Sequence, residues 1–476
     1  MALNLSSLQF LFPEIILIAA AFLALMVGVV ERHKNWVGAL SLGGVILSAS
    51  LLPVSFKAET VFYSGMLVND GFSMIFRQIL LLIAAMIILL SMGYKDLPQE
   101  DKAEYYFFLL IVTVSMMLAV AANNLMMIYI ALETISIVSY IMAGFLKRDI
   151  FSSEAGVKYF LFGALSTGIT LYGISLIYGL LGTLGLTSVT GILTTGAVHP
   201  AVLAVALILV LVGFAFKCSL VPFHMWTPDV YQGAPTPVAA FLSVGPKAVG
   251  FVFFLRVFVE NFQAAFPYWM PLAAFIALLT MTIGNMAALK QDNIKRLLAY
   301  STIAQAGYMF VGLAVGTPAG IQATLFYVFV YTLMNVGAFG SVIAVANTVK
   351  SERIEDYAGM YKKDPMTAII LTVSLLSLAG IPPLAGFMAK FFILAAAVEA
   401  KIILIAIAIV LNSVIALYYY VKVIKTMFLD EPRQITIAPR SLAIQAVLII
   451  TLIANLAIGI WPLPVIHWLI HFLPSA

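Results

Sequence analysis

The chain of 476 residues is far too apolar for a soluble protein. Hydrophobic residues make up 63% of it and charged residues 10%, and the mean hydropathy is +1.09; soluble domains have about 45–50% and about 25%. So few charges cannot cover a water-exposed surface, which excludes a soluble enzyme, a nucleic-acid binder and a disordered regulator. The apolar segments are continuous runs of about 20 residues, which excludes an outer-membrane barrel of shorter, alternating strands. The composition predicts an all-α, polytopic membrane protein.

About fourteen apolar runs are long enough to cross a membrane as helices, since a crossing needs about 20 residues. No stretch between them has room for a sizeable soluble domain. The runs begin near Leu8, Trp36, Phe72, Glu104, Asn124, Ala155, Pro200, Pro235, Trp269, Lys295, Ala319, Met366, Lys401 and Leu442. Residues 54–70 and 180–199 have room for short additional pieces.

The distribution of Lys and Arg predicts the orientation of the chain. Of the 25 such residues, 17 fall in the loops after spans 1, 3, 5, 9, 11 and 13. The opposite side holds four, Lys57, Arg77, Arg256 and Lys401, at loops or span ends. The positive-inside rule makes the first side cytoplasmic. Both termini are then expected outside, as an even number of spans requires.

The remaining four cations are all lysines in apolar stretches: Lys158, Lys217, Lys247 and Lys390. Glu133 is the clearest acidic residue in the middle of a span. Each such charge costs roughly 2.5–3.5 kcal/mol on insertion scales. One Glu against several Lys argues against complete static pairing. Lys158 lies nearer a span end, where its long side chain can reach the interface.

The residue type favours proton transfer by these lysines. A desolvated lysine can release its proton and an arginine cannot, so a purely structural set of cations is expected to include some arginine. Backbone-interrupting residues flank three of the lysines: Pro222 after Lys217, Gly245 and Pro246 before Lys247, and residues 380–386 before Lys390. Interrupted membrane helices point to transport sites. Static pairing and ordinary proline kinks are the alternative interpretations.

Other polar residues are secondary candidates. His224 lies just past the first of these interruptions, and histidine titrates near neutrality, so it suits a relay between Lys217 and Lys247; an ordinary interfacial histidine is the alternative. Tyr300 and the two hydroxyl residues after it are predicted either to bind water or to pack helices. The tyrosines at 418–420 are interpreted as an aromatic belt at the membrane interface.

No cofactor motif is present in the sequence. Cys218 is the single cysteine, which excludes an internal disulfide and a cysteine-ligated iron–sulfur cluster within the chain. Neither a phosphate-binding loop nor a dinucleotide fingerprint occurs. We therefore expect no nucleotide, redox cofactor or metal bound by this chain.

Three long motifs resemble the antiporter-like membrane subunits of respiratory complex I, the NADH:quinone oxidoreductase. They are KCSLVPFHMWTPDVYQGAPTPV at 217–238, NIKRLLAYS at 293–301 and SLAGIPPLAGFMAK at 377–390. The mid-span Glu133 also matches, and the resemblance spans essentially the whole chain. The length and the lysine at position 390 favour the N type of subunit, similar to mitochondrial chain 2, because the M type has Glu there and the L type is longer.

The resemblance implies two inverted-topology repeats of five helices each, spans 4–8 and 9–13, with interrupted helices 7 and 12. The expected division is an N-terminal three-helix segment (1–103), the first repeat (104–262), the second repeat (263–430) and a C-terminal helix (431–476).

It also implies roles for the residues that match. Glu133 and Lys217 would form an ion pair, and Lys217 would pass its proton through Lys247 and the His224 region to Lys390, which would face the outer exit. Lys158 and Tyr300 would be relay or modulating residues.

The function implied is that of a proton-translocating membrane-arm subunit in the bacterial inner membrane, beside other membrane-arm and antiporter-like subunits. The complex would use NADH, FMN, iron–sulfur clusters and quinone through those other subunits. Moving one charge against 100 mV costs about 2.3 kcal/mol, which this chain has no redox site to supply. Two alternatives stay open: a subunit of a multi-subunit cation/proton antiporter, and a structural spacer that does not pump.

Overall fold

The computed structural model describes residues 5–30, 35–56, 59–193, 198–432 and 441–470. Five of the cations used above to orient the chain lie outside the described residues: Arg32, Lys34, Lys57, Arg433 and Arg440.

The N-terminal part consists of three helices and one small hairpin. Its elements are α1 (Phe12–Val30), α2 (Asn35–Ser55), β1 (Thr60–Phe62), β2 (Leu67–Asn69) and α3 (Gly71–Met92). The two strands are antiparallel, with Val61 opposite Val68. Asp70 fixes the start of α3 because its carboxylate accepts the Ser73 amide and the Ser73 hydroxyl lies within hydrogen-bond distance of the Asp70 amide, a capping box.

The next part contains the first helix break. Its helices are α4 (Lys102–Val120), α5 (Leu125–Ala143), α6 (Ile150–Leu181), α7 (Leu186–Leu193), α8 (Pro200–Lys217), α9 (Trp226–Gly233) and α10 (Thr236–Phe254). α10 continues as a π-helical segment over Leu255–Asn261. Side-chain caps at Asn124 and Asp149 begin α5 and α6.

The last part contains the second break. Its helices are α11 (Phe266–Ala288), α12 (Ile294–Val315), α13 (Pro318–Val349), α14 (Met360–Lys363), α15 (Pro365–Ala379), α16 (Ala385–Glu399), α17 (Ile403–Leu429), α18 (Leu442–Ile460) and α19 (Leu463–Ile470). Asn293, Thr317 and Asp364 cap the starts of α12, α13 and α15.

The helix content confirms the predicted all-α, polytopic fold. Within the described residues, thirteen helices are long and apolar enough to cross a membrane. The broken pair α15–α16 supplies the fourteenth span predicted from the sequence. Residues 54–70 hold the β1–β2 hairpin, and residues 180–199 hold the short helix α7.

Three helices form the centre of the bundle. α10, α12 and α13 are buried over nearly their whole length, whereas α1, α2 and α6 leave much of their surface exposed. A helix that is apolar all round belongs in such an interior. The buried lysine at position 247 therefore lies on one of the most enclosed helices.

Backbone hydrogen bonds join the loops at one end of the bundle. The segment between α4 and α5 pairs with the hairpin on one side and with the α6–α7 connection on the other. Four bonds make these contacts: Val68 N to Ala121 O (2.8 Å), Asn123 N to Met66 O (2.8 Å), Leu125 N to Leu184 O (2.9 Å) and Leu186 N to Asn123 O (3.1 Å).

The sequence-based inventory of buried cations, which contained only lysines in apolar stretches, missed four buried residues: Arg77, Lys102, Arg256 and Lys295. The two arginines are in ion pairs. Arg77 lies within α3 and its Nε is 3.1 Å from the Glu14 carboxylate of α1. Arg256 follows α10, and its two terminal nitrogens are 2.8 and 2.7 Å from the two carboxylate oxygens of Asp70. The sequence predicts both at loops or span ends because each lies near an end of its apolar run. Each arginine is paired, as expected for a structural cation.

Candidate functional site

The first helix break lies between Lys217, the last residue of α8, and Trp226, the first residue of α9. Pro222 within it has no amide hydrogen and cannot continue a helix. The Val221 amide donates to Thr280 Oγ1 on α11 (3.0 Å), and the Trp226 indole donates back to the Phe216 carbonyl (3.2 Å). These bonds hold the irregular segment in place, so the end of α8 has a defined position.

Lys217 is buried, with 3% of its surface exposed, and its ammonium donates to Ser136 Oγ on α5 at 2.6 Å. Ser136 lies three residues after Glu133, on the same side of that helix. Glu133 is half-buried, and its Oε1 has no hydrogen-bond partner among the described residues. The expected Glu133–Lys217 ion pair is not a direct contact here, because Lys217 binds the serine instead.

Lys247 is 1% exposed, and its ammonium donates to the carbonyl of Cys218 at 3.2 Å. Gly250 permits this close approach of α10 to the break. A Cβ atom at position 250 would lie 2.5 Å from Cys218 Sγ. The first and second lysines are thus joined through the backbone of the residue that follows Lys217.

The second break separates Ala379, the last residue of α15, from Ala385, the first of α16. Gly380 turns the chain with a φ of +89°, a conformation that favours glycine. Lys390 on α16 is 6% exposed, and its ammonium donates to the Ala379 carbonyl at 2.9 Å. The ammonium also lies 4.4 Å from the centre of the Tyr308 ring.

The three lysine ammoniums share one property: each donates to a neutral oxygen. The acceptors are the Ser136 hydroxyl, the Cys218 carbonyl and the Ala379 carbonyl. A neutral amine still carries N–H groups that can donate to such acceptors, whereas a carboxylate strongly favours the charged form. The arrangement is therefore compatible with both protonation states of lysine.

Polar side chains bridge most of the distance between Lys247 and Lys390. Ser243 lies one turn before Lys247 on α10 and accepts from Asn335 on α13. Tyr331, one turn from Asn335, donates to Thr302 on α12, and Gln305 follows Thr302 by three residues. The hydrogen bonds are Asn335 Nδ2 to Ser243 Oγ (2.5 Å), Tyr331 OH to Thr302 Oγ1 (3.0 Å) and Gln305 Nε2 to the Leu378 carbonyl (2.9 Å). Leu378 adjoins Ala379, the acceptor of Lys390.

A separate, partly exposed cluster surrounds Lys158. Its ammonium lies 2.7 Å from Glu154 on α6 and 2.8 Å from Asp229 on α9. The other carboxylate oxygen of Asp229 lies 2.6 Å from Arg296, in the first turn of α12. Asp229 therefore links α6 to α12 directly beyond the first break. Lys158 is 38% exposed, consistent with its expected position near a span end.

The secondary candidates have different positions. His224 lies in the first break, and its Nδ1 is buried without a hydrogen bond among the described residues. Tyr300 is half-buried in the second turn of α12. The aromatic-belt interpretation of 418–420 is wrong for two of the three tyrosines. Tyr419 and Tyr420 are buried, because successive residues on a helix point about 100° apart.

Sequence reasoning missed the residues that link the lysines, chiefly Gln305, Tyr331 and Asn335. A usable signal existed, since an Asn or Gln inside an otherwise apolar helix needs a buried partner.

Among the described residues, no group of three or more His, Cys, Asp or Glu side chains is placed to hold a metal ion. A cavity of about 240 Å³ between α16 and α17 reaches Lys390, with Phe391, Val410 and Val414 in its wall.

The fold and the paired helix breaks define a class of membrane subunit. Residues 122–416 match the family described as NADH:quinone oxidoreductase/Mrp antiporter, TM. This is more than half of the chain, and the chain belongs to that family.

Curated relatives narrow the assignment. NADH-quinone oxidoreductase subunit N of Trichlorobacter lovleyi is 42% identical over 426 residues, which cover 89% of this chain and 88% of the relative. NADH-quinone oxidoreductase subunit N 1 of Solibacter usitatus is 40% identical over 473 residues, covering 98% and 96%. The predicted resemblance to the N type of subunit is confirmed.

Solved structures agree with this assignment. A chain of respiratory complex I from Thermus thermophilus with bound aureothin has a TM-score of 0.80 at 32% identity and covers 96% of this chain and 98% of its own length. A chain of the Mrp complex from Dietzia sp. DQ12-45-1b has a TM-score of 0.84 at 22% identity, covering 98% and 96%. The latter likeness shows a shared fold.

Proposed function

We propose that this chain is an N-type membrane-arm subunit of an NADH:quinone oxidoreductase and moves protons out of the cytoplasm. Lys217, Lys247 and Lys390 carry the proton in turn, and Glu133 acts on Lys217 from the neighbouring helix. The chain is a component of a translocase. Oxidation of NADH and reduction of quinone take place in other subunits, which hold the FMN and iron–sulfur clusters, and this chain binds no cofactor.

The observation that carries the proposal is the neutral hydrogen-bond acceptor beside each of the three buried lysines. The buried arginines of the same molecule each face a carboxylate. Three buried ammoniums without direct carboxylate partners are costly as static elements. They are suited to binding and releasing a proton, because neither protonation state loses its hydrogen-bond partner.

The polar residues between the lysines support a route across the bundle. From Lys247 the route runs to Ser243 and then to Asn335 and Tyr331 on α13. It continues to Thr302 and Gln305 on α12 and reaches the carbonyls at the end of α15, beside Lys390. The remaining gaps are single helical turns, which one or two water molecules can span. His224 and Tyr300 are proposed to take part only through such water.

The proposed orientation follows the positive-inside rule. The Lys158–Asp229–Arg296 cluster then lies on the cytoplasmic side of the first break, where Lys158 modulates proton uptake toward Lys217. In this orientation the N-terminal end of α1, where Glu14 lies, faces the outside of the cell. The protein is a multi-pass membrane protein, and the proposal places it in the bacterial inner membrane with both termini outside.

We further propose the division into two five-span repeats, 104–262 and 263–430, between an N-terminal three-helix segment (1–103) and a C-terminal helix (431–476). Two equivalences support it. α6 and α13, the third span of each repeat, both have 32 residues. The fourth span of each repeat is the broken one. Because five crossings reverse the direction of the chain, the second repeat is inverted with respect to the first.

The deciding experiment is Lys217→Ala in the assembled complex reconstituted into vesicles. We expect NADH:quinone activity to continue or fall while protons pumped per electron drop sharply. Lys362→Ala, at an exposed lysine on the short helix α14, is the matched control and should pump normally. Unchanged pumping per electron in Lys217→Ala would contradict the proposal.

The same preparation separates the alternatives. A cation/proton antiporter would copurify with small hydrophobic subunits and no flavin or iron, and would move sodium in response to a proton gradient. A structural spacer would tolerate methionine at all three lysines without loss of coupling. Recovery in a large flavin- and iron-containing assembly supports the redox-driven pump.

A further inference from the structure

No carboxylate lies near Lys390 on any of the helices packed around it. α16 packs against α12, α13, α15, α17 and α18, and the sequences of these five helices contain no Asp or Glu. Glu399, at the far end of α16 itself, is nine residues away, about 13 Å along the helix. Lys217 differs in having a carboxylate on a neighbouring helix. Glu133 lies on α5, which also carries Ser136, the hydrogen-bond acceptor of Lys217.

The other ionisable groups on these helices do not supply an anion either. Those on the buried faces are five tyrosines and one lysine: Tyr308 and Lys295 on α12, Tyr327 and Tyr331 on α13, and Tyr419 and Tyr420 on α17. Lys295 is itself a cation, paired with Glu352, and it lies thirteen residues before Tyr308, about 20 Å along α12. α15 and α18 carry no ionisable side chain. The charge of Lys390 must therefore be stabilised by neutral groups.

Two neutral groups meet the ammonium. One is the Ala379 carbonyl at the C-terminal end of α15, where the helix dipole is negative. The other is the face of the Tyr308 ring, with the ammonium 4.4 Å from its centre. The face of an aromatic ring attracts a cation through its quadrupole, and this attraction is strongest away from water.

The Tyr308 ring is held in a fixed orientation. Its hydroxyl accepts a hydrogen bond from Asn285 Nδ2 on α11 at 3.0 Å. Asn285 is oriented in turn by Tyr419, whose hydroxyl donates to Asn285 Oδ1 at 3.0 Å, and by the Asn412 carbonyl, 3.2 Å from Nδ2. The ring is thereby presented face-on to Lys390 whether or not the lysine is charged.

We propose that Tyr308 is a positioning residue that sets the proton affinity of Lys390, taking the place that a carboxylate has in an ordinary buried ion pair. The ring face stabilises the ammonium and has little attraction for the neutral amine. It therefore favours protonation of Lys390 without the full charge of an anion, so the proton can still be released. This inference rests on the proposed function, because it assumes that Lys390 exchanges protons.

The test compares Tyr308→Phe with Tyr308→Leu in the assembled complex in vesicles, with proton pumping per electron measured from pH 6 to pH 9. Phenylalanine keeps the ring face, so its pH profile should match that of the wild type. Leucine removes the face, and proton binding should weaken about tenfold, which moves the alkaline limb about one pH unit lower. Phe310→Leu, two residues further along α12, is the control for loss of a buried ring and should not move the limb.

A fluorinated series at position 308 covers the case in which leucine prevents assembly. Phenylalanine with one, two and three fluorine atoms keeps nearly the same size while electron density leaves the ring face. The alkaline limb should then move lower in steps. A limb that stays in place throughout the series, while Lys390→Ala abolishes pumping, would overturn the inference and leave the proposed function intact. Normal pumping by Lys390→Ala would overturn the proposed function and the inference with it.

Discussion

Lys247 and Cys218 face each other across the first helix break: the ammonium of Lys247 donates to the Cys218 carbonyl, and the Cys218 thiol lies 3.8 Å from the Lys247 carbonyl. The contact ties α10 to the residue after Lys217. A change in the backbone at the break therefore alters the hydrogen bonding of both lysines together.

Lys217→Arg tests whether the charge or the proton is required. Arginine keeps the positive charge but does not release its proton in proteins. We expect pumping per electron to fall by at least about tenfold, because a positioned proton-transfer group contributes about 10²–10⁴ in rate. Proton uptake by vesicles with the reconstituted complex gives the measurement. Pumping close to the wild-type rate would mean that only the charge matters.

Gly250→Ala tests the close approach of α10 to the break. The added Cβ would lie 2.5 Å from Cys218 Sγ, so the helix or the break must shift. We expect a loss of about 1–3 kcal/mol in stability from overpacking and a weaker Lys247–Cys218 contact with reduced pumping. Thermal unfolding and proton uptake check the two effects. Gly179→Ala on α6 is the control, since no atom lies within 4 Å of its new Cβ; equal effects at both sites would refute the steric explanation.

Asp229→Asn tests the link between α6 and α12. The amide cannot compensate the charges of Lys158 and Arg296, which both contact the carboxylate. For this partly exposed cluster we expect a stability loss of about 1 kcal/mol and slower proton uptake from the cytoplasmic side. Glu154→Gln removes an exposed partner of Lys158 and leaves Asp229 in place, so its effect should be smaller. A larger effect of Glu154→Gln than of Asp229→Asn would contradict the role given to Asp229.

Asp70 and Arg256 predict a pH dependence of stability. Burial acts to raise the pKa of the Asp70 carboxyl, but Arg256 and Ser73 together outweigh it and hold that pKa below its usual value of 3.8. A carboxyl whose pKa is lowered by folding stabilises the protein above its unfolded pKa, and this contribution disappears as the pH falls through the folded pKa.

We therefore expect Asp70→Asn to destabilise the protein by about 3 kcal/mol between pH 5 and pH 8, since it leaves a buried arginine unpaired. The difference from the wild type should shrink only below about pH 4. Thermal unfolding of both proteins across this range provides the measurement. A difference that disappears above pH 5 would contradict the lowered pKa.

The sequence was sufficient for the fold class, the number of spans and the positions of both breaks, because long apolar runs and proline-rich interruptions are local signals. Which face of each helix is buried could not be read from it, since a membrane helix is apolar on all sides. Arg77 and Tyr420 show the consequence. Both are deeply buried, although their positions near span ends suggested an interfacial location.

The partners of the lysines also depend on packing that a single sequence does not contain. Lys217 and Ser136 are 81 residues apart in the chain, and Lys390 meets Tyr308 across 82 residues. The rule that structural cations are arginines holds only in part: Arg77 and Arg256 are in buried ion pairs, but so is Lys295, whose ammonium lies 2.8 Å from Glu352. Three of the four lysines that the sequence singled out, Lys217, Lys247 and Lys390, have neutral partners. The fourth, Lys158, pairs with two carboxylates.

The loops at the hairpin end of the bundle have a consequence for how such a pump can work. Residues 121–125 are bonded on one side to the hairpin and on the other to the connection before α7, so the α4–α5 corner is fixed in register by backbone hydrogen bonds. These bonds lie within the N-terminal segment and the first repeat, so movement of the first repeat against the second would leave them intact. Any rearrangement during the working cycle is therefore expected to carry this corner as one rigid unit. Amide hydrogen exchange at Asn123 and Leu125 should accordingly stay equally slow at rest and during turnover.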